Sequence, residues 1–262
     1  MMCLITFSLS SHPTYKLVLA ANRDELYKRP TAPANFWPEY PDLLAGKDLQ
    51  ANGTWLGITK KGKIAAITNC YDEGTLPSDT QKHSRGKIVI DYLTSEKTAV
   101  QYLDQLIIKK DQYLPFNVLL GDIDEIYHFN SQNQLYTLLQ KGTHSLSNAT
   151  INTPWPKVIN TKTKMNRIMN TPNHYINQLF QMMMDQTPAS DQQLPDASFP
   201  IEIKRKVSTN FIDTEDFGTR STTLILVDHN HMVTFIERTY DSKYNSHDNS
   251  YHFQLSDHTE NI

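Results

Sequence analysis

Cys3 stands almost at the start of the chain, inside the apolar run Met2 to Leu9. A thiol attacks as its thiolate and needs a base to take its proton. A cysteine made N-terminal by methionine removal carries that base itself, an α-amino group with an ordinary pKa of about 8. Taken alone, Cys3 reads better as a small buried residue on a strand. A second cluster, Asn22-Arg23-Asp24-Glu25, follows directly on the apolar run Leu17 to Ala21. At a strand end, Arg23 beside Asp24 can set the protonation state of a neighbouring thiolate or amine; solvated turn charge is the plain alternative. Asn69, after Lys63 to Thr68, and Asn148, in Ser145-Leu146-Ser147-Asn148-Ala149, offer amide donors suited to a developing oxyanion, although Asn at strand ends is also ordinary turn chemistry. Arg220, in Gly218-Thr219-Arg220-Ser221-Thr222-Thr223, can hold a carboxylate or phosphate in a two-pronged bond or equally form a surface ion pair. Lys82 to Lys87, with Arg85, reads as a solvated helix start. The ten histidines show no metal-ligand spacing, and Met182-Met183-Met184 reads as core packing.

The elements that must position these groups follow from periodicity. Met2 to Leu9 and Tyr15 to Ala21 read as a hairpin, and Thr54 to Thr59 with Lys63 to Asn69 as another. Between them, Pro30, Pro33, Pro38 and Pro41 predict an irregular loop holding Phe36, Trp37 and Tyr40. Ser84 to Leu93 and Thr98 to Ile108 carry apolar residues at helical spacing, and short strands follow over Phe116 to Leu120, Glu125 to Phe129 and Gln134 to Leu139. Pro154 and Pro156 precede helices over Lys164 to Met169 and His174 to Asp185. Gln186 to Pro200 reads as a flexible surface loop, Thr222 to Asp228 and Met232 to Arg238 as a final hairpin, and 241–262 as a polar C-terminal tail. One α+β domain over 1–262 with largely antiparallel sheets is expected. A four-layer αββα sandwich, helices outside and two stacked sheets inside, uses every element.

Composition narrows the function. Against 28 Asp and Glu the chain has 25 Lys and Arg, a formal charge of −3 that gives no footprint for nucleic acid or an anionic membrane surface. No apolar run reaches the roughly 20 residues of a membrane span. Cys3 and Cys70, the only two cysteines, build no disulfide framework and match no metal spacing, and no signal-peptide pattern opens the chain. A reducing, cytoplasmic setting and a small-molecule partner are the expectation.

Met2-Cys3, Asn22-Arg23-Asp24-Glu25, Asn52-Gly53-Thr54-Trp55-Leu56-Gly57, Ile67-Thr68-Asn69, Ser84-Arg85-Gly86, Leu146-Ser147-Asn148, Pro154-Trp155-Pro156-Lys157 and Thr219-Arg220-Ser221 occur in that order. The series resembles the NRDE family, also called the transport and Golgi organisation family, whose layout is similar to N-terminal nucleophile hydrolases of the penicillin V acylase and bile salt hydrolase type. The resemblance implies an αββα sandwich with Cys3 as nucleophile, and Arg23 and Asp24 orienting and tuning it. It further implies Asn69 and Asn148 as oxyanion or amine-positioning donors, Arg220 as a further active-site cation, and cleavage of a linear amide or acyl-amide without a cofactor. Arg23 and Asp24 are adjacent here, whereas the hydrolases separate the two. Cys3 follows two methionines, so a chain begun at Met1 keeps its Cys3 nitrogen in a peptide bond, and translation from Met2 restores a Met-Cys start. The family's links to haem mobilisation and lipid homeostasis imply the alternative, a non-catalytic carrier or chaperone for haem or a lipid-like small molecule.

Overall fold

The strands sort their side chains by parity. In the computed structural model, which describes residues 3–70, 82–171, 175–195, 200–241 and 245–256, Leu4–Leu9 (β1) pairs antiparallel with Tyr15–Leu26 (β2), from Leu4 opposite Asn22 to Leu9 opposite Leu17. Ile5, Phe7, Leu9, Leu17, Leu19 and Ala21 enter one core; Leu4, Val18 and Ala20 enter another. This is the two-residue pleat of a strand buried on both faces.

Two antiparallel sheets result. The first runs in the order β10 (Gly142–Leu146), β1, β2, β11 (Phe217–Asp228), β12 (Met232–Tyr240) and β13 (Ser246–Gln254). The second is a meander of β3 (Thr31–Trp37), β4 (Tyr40–Asp48), β5 (Leu56–Thr59), β6 (Lys63–Asn69), β7 (Phe116–Asp122), β8 (Ile126–Asn130) and β9 (Tyr136–Leu138). Phe7, Leu19, Ile225 and Phe235 of the first sheet meet Leu44, Ile58, Ile64 and Leu119 of the second in the central core. Outside the first sheet lie α3 (Pro156–Met169) and α4 (Tyr175–Met183), sharing a core with Leu4, Val18 and Leu226. Outside the second lie α1 (Gly86–Leu93) and α2 (Ala99–Lys109), packed on Leu43, Ile67 and Val118. The layers are therefore α, β, β, α, as expected.

Several local expectations are corrected. The proline-rich stretch forms the β3–β4 hairpin rather than an irregular loop. Pro33 sits in the edge strand β3 beside a register break between Ala32 and Asn35, where a missing N–H costs no ladder bond. Helix α3 begins at Pro156, eight residues before the expected Lys164, because proline is at home in the first helical turn. Within the expected polar tail, Ser246–Gln254 is the edge strand β13, and Tyr251 and Phe253 lean on the central core. A polar edge strand shows too little apolar alternation to stand out. In the expected flexible loop, Asp191–Gln193 forms a capped 3₁₀ turn held by a two-pronged bond from Arg205, at 2.8 and 2.6 Å, on α5 (Ile201–Val207); residues 196–199 lie outside the described residues.

Candidate active site

Strand ends from both sheets close on a cavity of about 270 Å³ at one edge of the sandwich. Cys3 lines it, one step before β1, so that by the register of β1 on β2 it faces Arg23. The rest of the wall includes Arg23, Glu25, Arg29, Asp48, Trp55, Asn69, Lys82, His83, Arg85 and Gly86.

The sequence places Asn22 to Glu25 after a strand; the structure carries β2 through Leu26, and all four residues are buried. Parity then assigns their roles. Asn22 faces the helical layer and is structural, its amide donating to the carbonyls of Met183 and Asn210 at 2.9 and 2.8 Å. Arg23 and Glu25 face the gap between the sheets. The Arg23 guanidinium carbon lies over the Trp55 ring, 4.1 Å from its centroid; the group donates to Thr31 Oγ1 at 2.8 Å and reaches Asp48 Oδ2 at 3.4 Å. Asp48 also accepts from Arg29 Nε at 2.6 Å, and its other oxygen accepts from the N–H groups of Gln50 and Ala51. Glu25 Oε2 lies 3.5 Å from Arg29 Nε and 3.7 Å from Arg23 Nη2. Arg23 is thus fixed in one pose by three anions or dipoles and an aromatic face.

Asp24 does not line the cavity; it lies immediately behind Cys3. Its Oδ1 accepts from Thr219 Oγ1 at 2.6 Å, while Oδ2, fully buried, has no hydrogen-bond partner among the described residues. Burial pushes this carboxyl up to about 7, against the opposing pull of buried Lys157 and the Thr219 bond. A desolvated carboxylate with a vacant lone pair is poised to accept an N–H at the chain's N-terminal end.

Cys3 is corrected in the other direction. A cation such as Arg23 favours a thiolate, yet burial, then the charge of Asp24, raises the thiol to about 11, and Arg23 offsets this only in part. From an ordinary 9.0, such a shift leaves roughly 100-fold less thiolate at neutral pH. Iodoacetamide should accordingly label Cys3 at least tenfold more slowly than a short unstructured cysteine peptide at pH 7.5, as read by peptide mass spectrometry; equal rates would show that the thiol is not desolvated.

Asn69 lines the cavity, and Asn148 lies behind it, donating from Nδ2 to the Asn69 carbonyl at 2.8 Å. Ser147 Oγ donates to the Cys3 carbonyl at 3.0 Å, so the 147–148 turn ties Cys3 and Asn69 together. Arg220 is not on the cavity wall. It is the bulged residue between Thr219 and Ser221 in the pairing of β11 with β2, and its Nη1 donates to the carbonyls of Leu26, Tyr27 and Arg29 at 3.0 to 3.1 Å. It pins the turn that carries Arg29. Of the six residues singled out, Cys3, Arg23 and Asn69 share the wall, Asp24 and Asn148 support it, and Arg220 stands one turn away.

Sequence reading missed Arg85. Far from marking a solvated helix start, it faces the cavity, and burial lowers its basicity. The cause is a close approach: a Cβ on Gly53 would fall 2.8 Å from the Gly86 carbonyl carbon, so the Asn52-Gly53 turn and the start of α1 touch backbone to backbone and swing Arg85 inward. Lys157, buried at the second position of α3, was likewise passed over. Both stand in motifs quoted for the resemblance, Ser84-Arg85-Gly86 and Pro154-Trp155-Pro156-Lys157, which was the available signal.

A family model described as Transport and Golgi organisation 2 matches residues 2–242. The chain belongs to this family. Its Transport and Golgi organization 2 homolog from Mus musculus is 33% identical, covering 97% of this chain and 99% of the relative, and the Homo sapiens homolog is 33% identical over 94% and 96%. Among solved structures, the family fold resembles penicillin V acylase from Agrobacterium tumefaciens, with a TM-score of 0.50 at 11% identity over 89% of this chain and 82% of that one. It also resembles a Caenorhabditis elegans ortholog of N-acylethanolamine-hydrolyzing acid amidase, at 0.51 and 9% identity over 86% and 92%. At such identities the likeness is one of fold, and it places this Transport and Golgi organisation 2 member on the N-terminal nucleophile hydrolase scaffold.

Proposed function

We propose that this chain is a Cys3-dependent amidohydrolase acting on a linear amide or acyl-amide. The observation that carries the reading is the vacant Oδ2 of buried Asp24 behind a cavity-lining Cys3. A free α-amine on Cys3 would supply both the N–H that Asp24 lacks and the base that a thiol raised to about 11 requires. The thiol proton passes to the α-amine as Sγ bonds to the amide carbon, and the carbonyl becomes an oxyanion within reach of an Asn69 donor. On collapse the C–N bond breaks, and the leaving amine takes the proton from the ammonium. Water then attacks the thioester, releasing a carboxylic acid and restoring the thiol.

The competing reading, carriage of haem or a lipid-like molecule, draws on His83, the one histidine on the described cavity wall and so the candidate axial ligand. The cavity volume of about 270 Å³ lies just under the roughly 300–1,000 Å³ of pockets for drug-sized ligands, which suits a small amide better than a tetrapyrrole. Rapid acid quench of the Met-Cys-started protein with an activated acyl anilide, followed by intact and peptide mass measurement, should show the acyl mass on the Cys3 peptide. No adduct and no aniline release, with a saturable Soret shift on haem titration, would replace the hydrolase by the carrier.

A further inference from the structure

Among the described residues the cavity wall is electrically unbalanced. Four of its side chains, Arg23, Arg29, Lys82 and Arg85, are cationic, against two carboxylates, Glu25 and Asp48. Those carboxylates serve Arg23 and Arg29 at 2.6 to 3.7 Å. Arg85 is left to the backbone: Nη1 donates to the Pro115 carbonyl at 3.1 Å, and among the described residues no carboxylate forms an ion pair with it. Lys82, at the rim, likewise donates to a carbonyl, that of Asp111, at 2.8 Å.

A guanidinium partly withdrawn from water, with Glu25 acting on it only through space and no carboxylate paired with it among the described residues, is costly unless something else completes it. Its position is not loose, since the Gly53–Gly86 contact and the Pro115 bond both fix it. It shares the cavity with Cys3 and Asn69, the nucleophile and the amide donor. With Nη1 engaged, the remaining donors form a fork that matches the two oxygens of a carboxylate.

We propose that Arg85 anchors a carboxylate of the substrate, so that the amide cleaved at Cys3 belongs to a small, negatively charged molecule rather than a neutral one. Only the turnover half of this proposal rests on the hydrolase reading; binding of the anion does not. Arg23 is not the anchor, because its charge is already met by Asp48 and Glu25, one donor goes to Thr31 and Trp55 covers its guanidinium.

Succinamic acid and succinamide form the test pair, alike in shape and each holding a primary amide, but differing by one carboxylate. Calorimetric titration of the full chain should show the acid binding roughly 10–100-fold more tightly than the diamide, the span of a charge-assisted hydrogen bond, and losing that margin at high salt. Arg85→Met should erase the preference. Arg85→Lys, which keeps the charge without the fork, should retain part of it and guards against loss of folding in the first variant. Equal binding, no binding of either compound, or a preference that survives in Arg85→Met would overturn the proposal. Ammonia release by the form translated from Met2, whose Cys3 amine is free, separates the two readings: preference without turnover sinks the hydrolase and leaves the anchor, while turnover at equal kcat/KM for both compounds sinks the anchor and leaves the hydrolase.

Discussion

Starting translation at Met2, so that methionine removal exposes the Cys3 amine, should raise amide turnover by roughly 10²–10⁴-fold over the form that keeps Met1 and Met2, the usual worth of a positioned general base. Cys3→Ala should abolish it in either form. The size of the gap follows from the raised thiol. At about 11 it ionises too little to act unaided, and Arg23, whose own charge is committed to Glu25 and Asp48, brings it down only in part. In the longer form the Cys3 nitrogen is an amide and takes no proton. In the shorter form it is an amine with Asp24 behind it, and Asp24→Asn should then cost a large share of the gain by leaving the amine unoriented. Intact mass establishes the N-terminus of each preparation, and anilide hydrolysis gives the rates. Equal rates from the two N-termini would mean that the α-amine plays no part.

The same carboxyl should write itself into stability. Folding raises Asp24 from 3.8 to about 7 through burial, so between those values the folded chain holds a proton that the unfolded chain has lost. Stability from this group is complete below its unfolded pKa and drains away as pH climbs to about 7, by up to roughly 4 kcal/mol for a shift of that size. His128 works in the opposite sense. Buried on β8, with Nε2 3.1 Å from Asn117 Oδ1, it falls from 6.5 to about 4, and it withdraws stability as pH drops through that window. The wild-type curve therefore partly cancels, and variants separate the two. The Tm of Asp24→Asn minus that of the wild type should grow by roughly 10 °C from pH 4 to pH 7 and level off above, taking a few degrees per kcal/mol. A difference that stays flat across the range would show that Asp24 ionises in the folded chain as it does in water.

The layered fold was legible because its strands and helices are written in apolar periodicity: Leu17, Leu19 and Ala21 against Val18 and Ala20 announce a strand buried on both faces. Polar strands were not. Ser246–Gln254 earns its place by pairing with β12, a long-range fact with no local signature. Within the site, Cys3, Arg23 and Asn69 could be singled out by type, but not how they divide the work. Whether Asp24 faces the cavity or the space behind it depends on one step of strand parity, and reading β2 as ending at Ala21 concealed that step. Arg85 was hidden for another reason. A basic residue beside two lysines looks solvated until a backbone contact from thirty residues earlier turns it inward.

That contact also makes the two glycines interdependent. A Cβ on Gly53 would clash with Gly86, and one on Gly86 would stand 3.0 Å from the Thr54 carbonyl oxygen, tight enough that the turn must give by a few tenths of an ångström. A side chain at Gly53 would press on the Gly86 backbone and part the Asn52-Gly53 turn from the helix start, moving Arg85 with it. In this chain one backbone contact sets where a cavity charge stands.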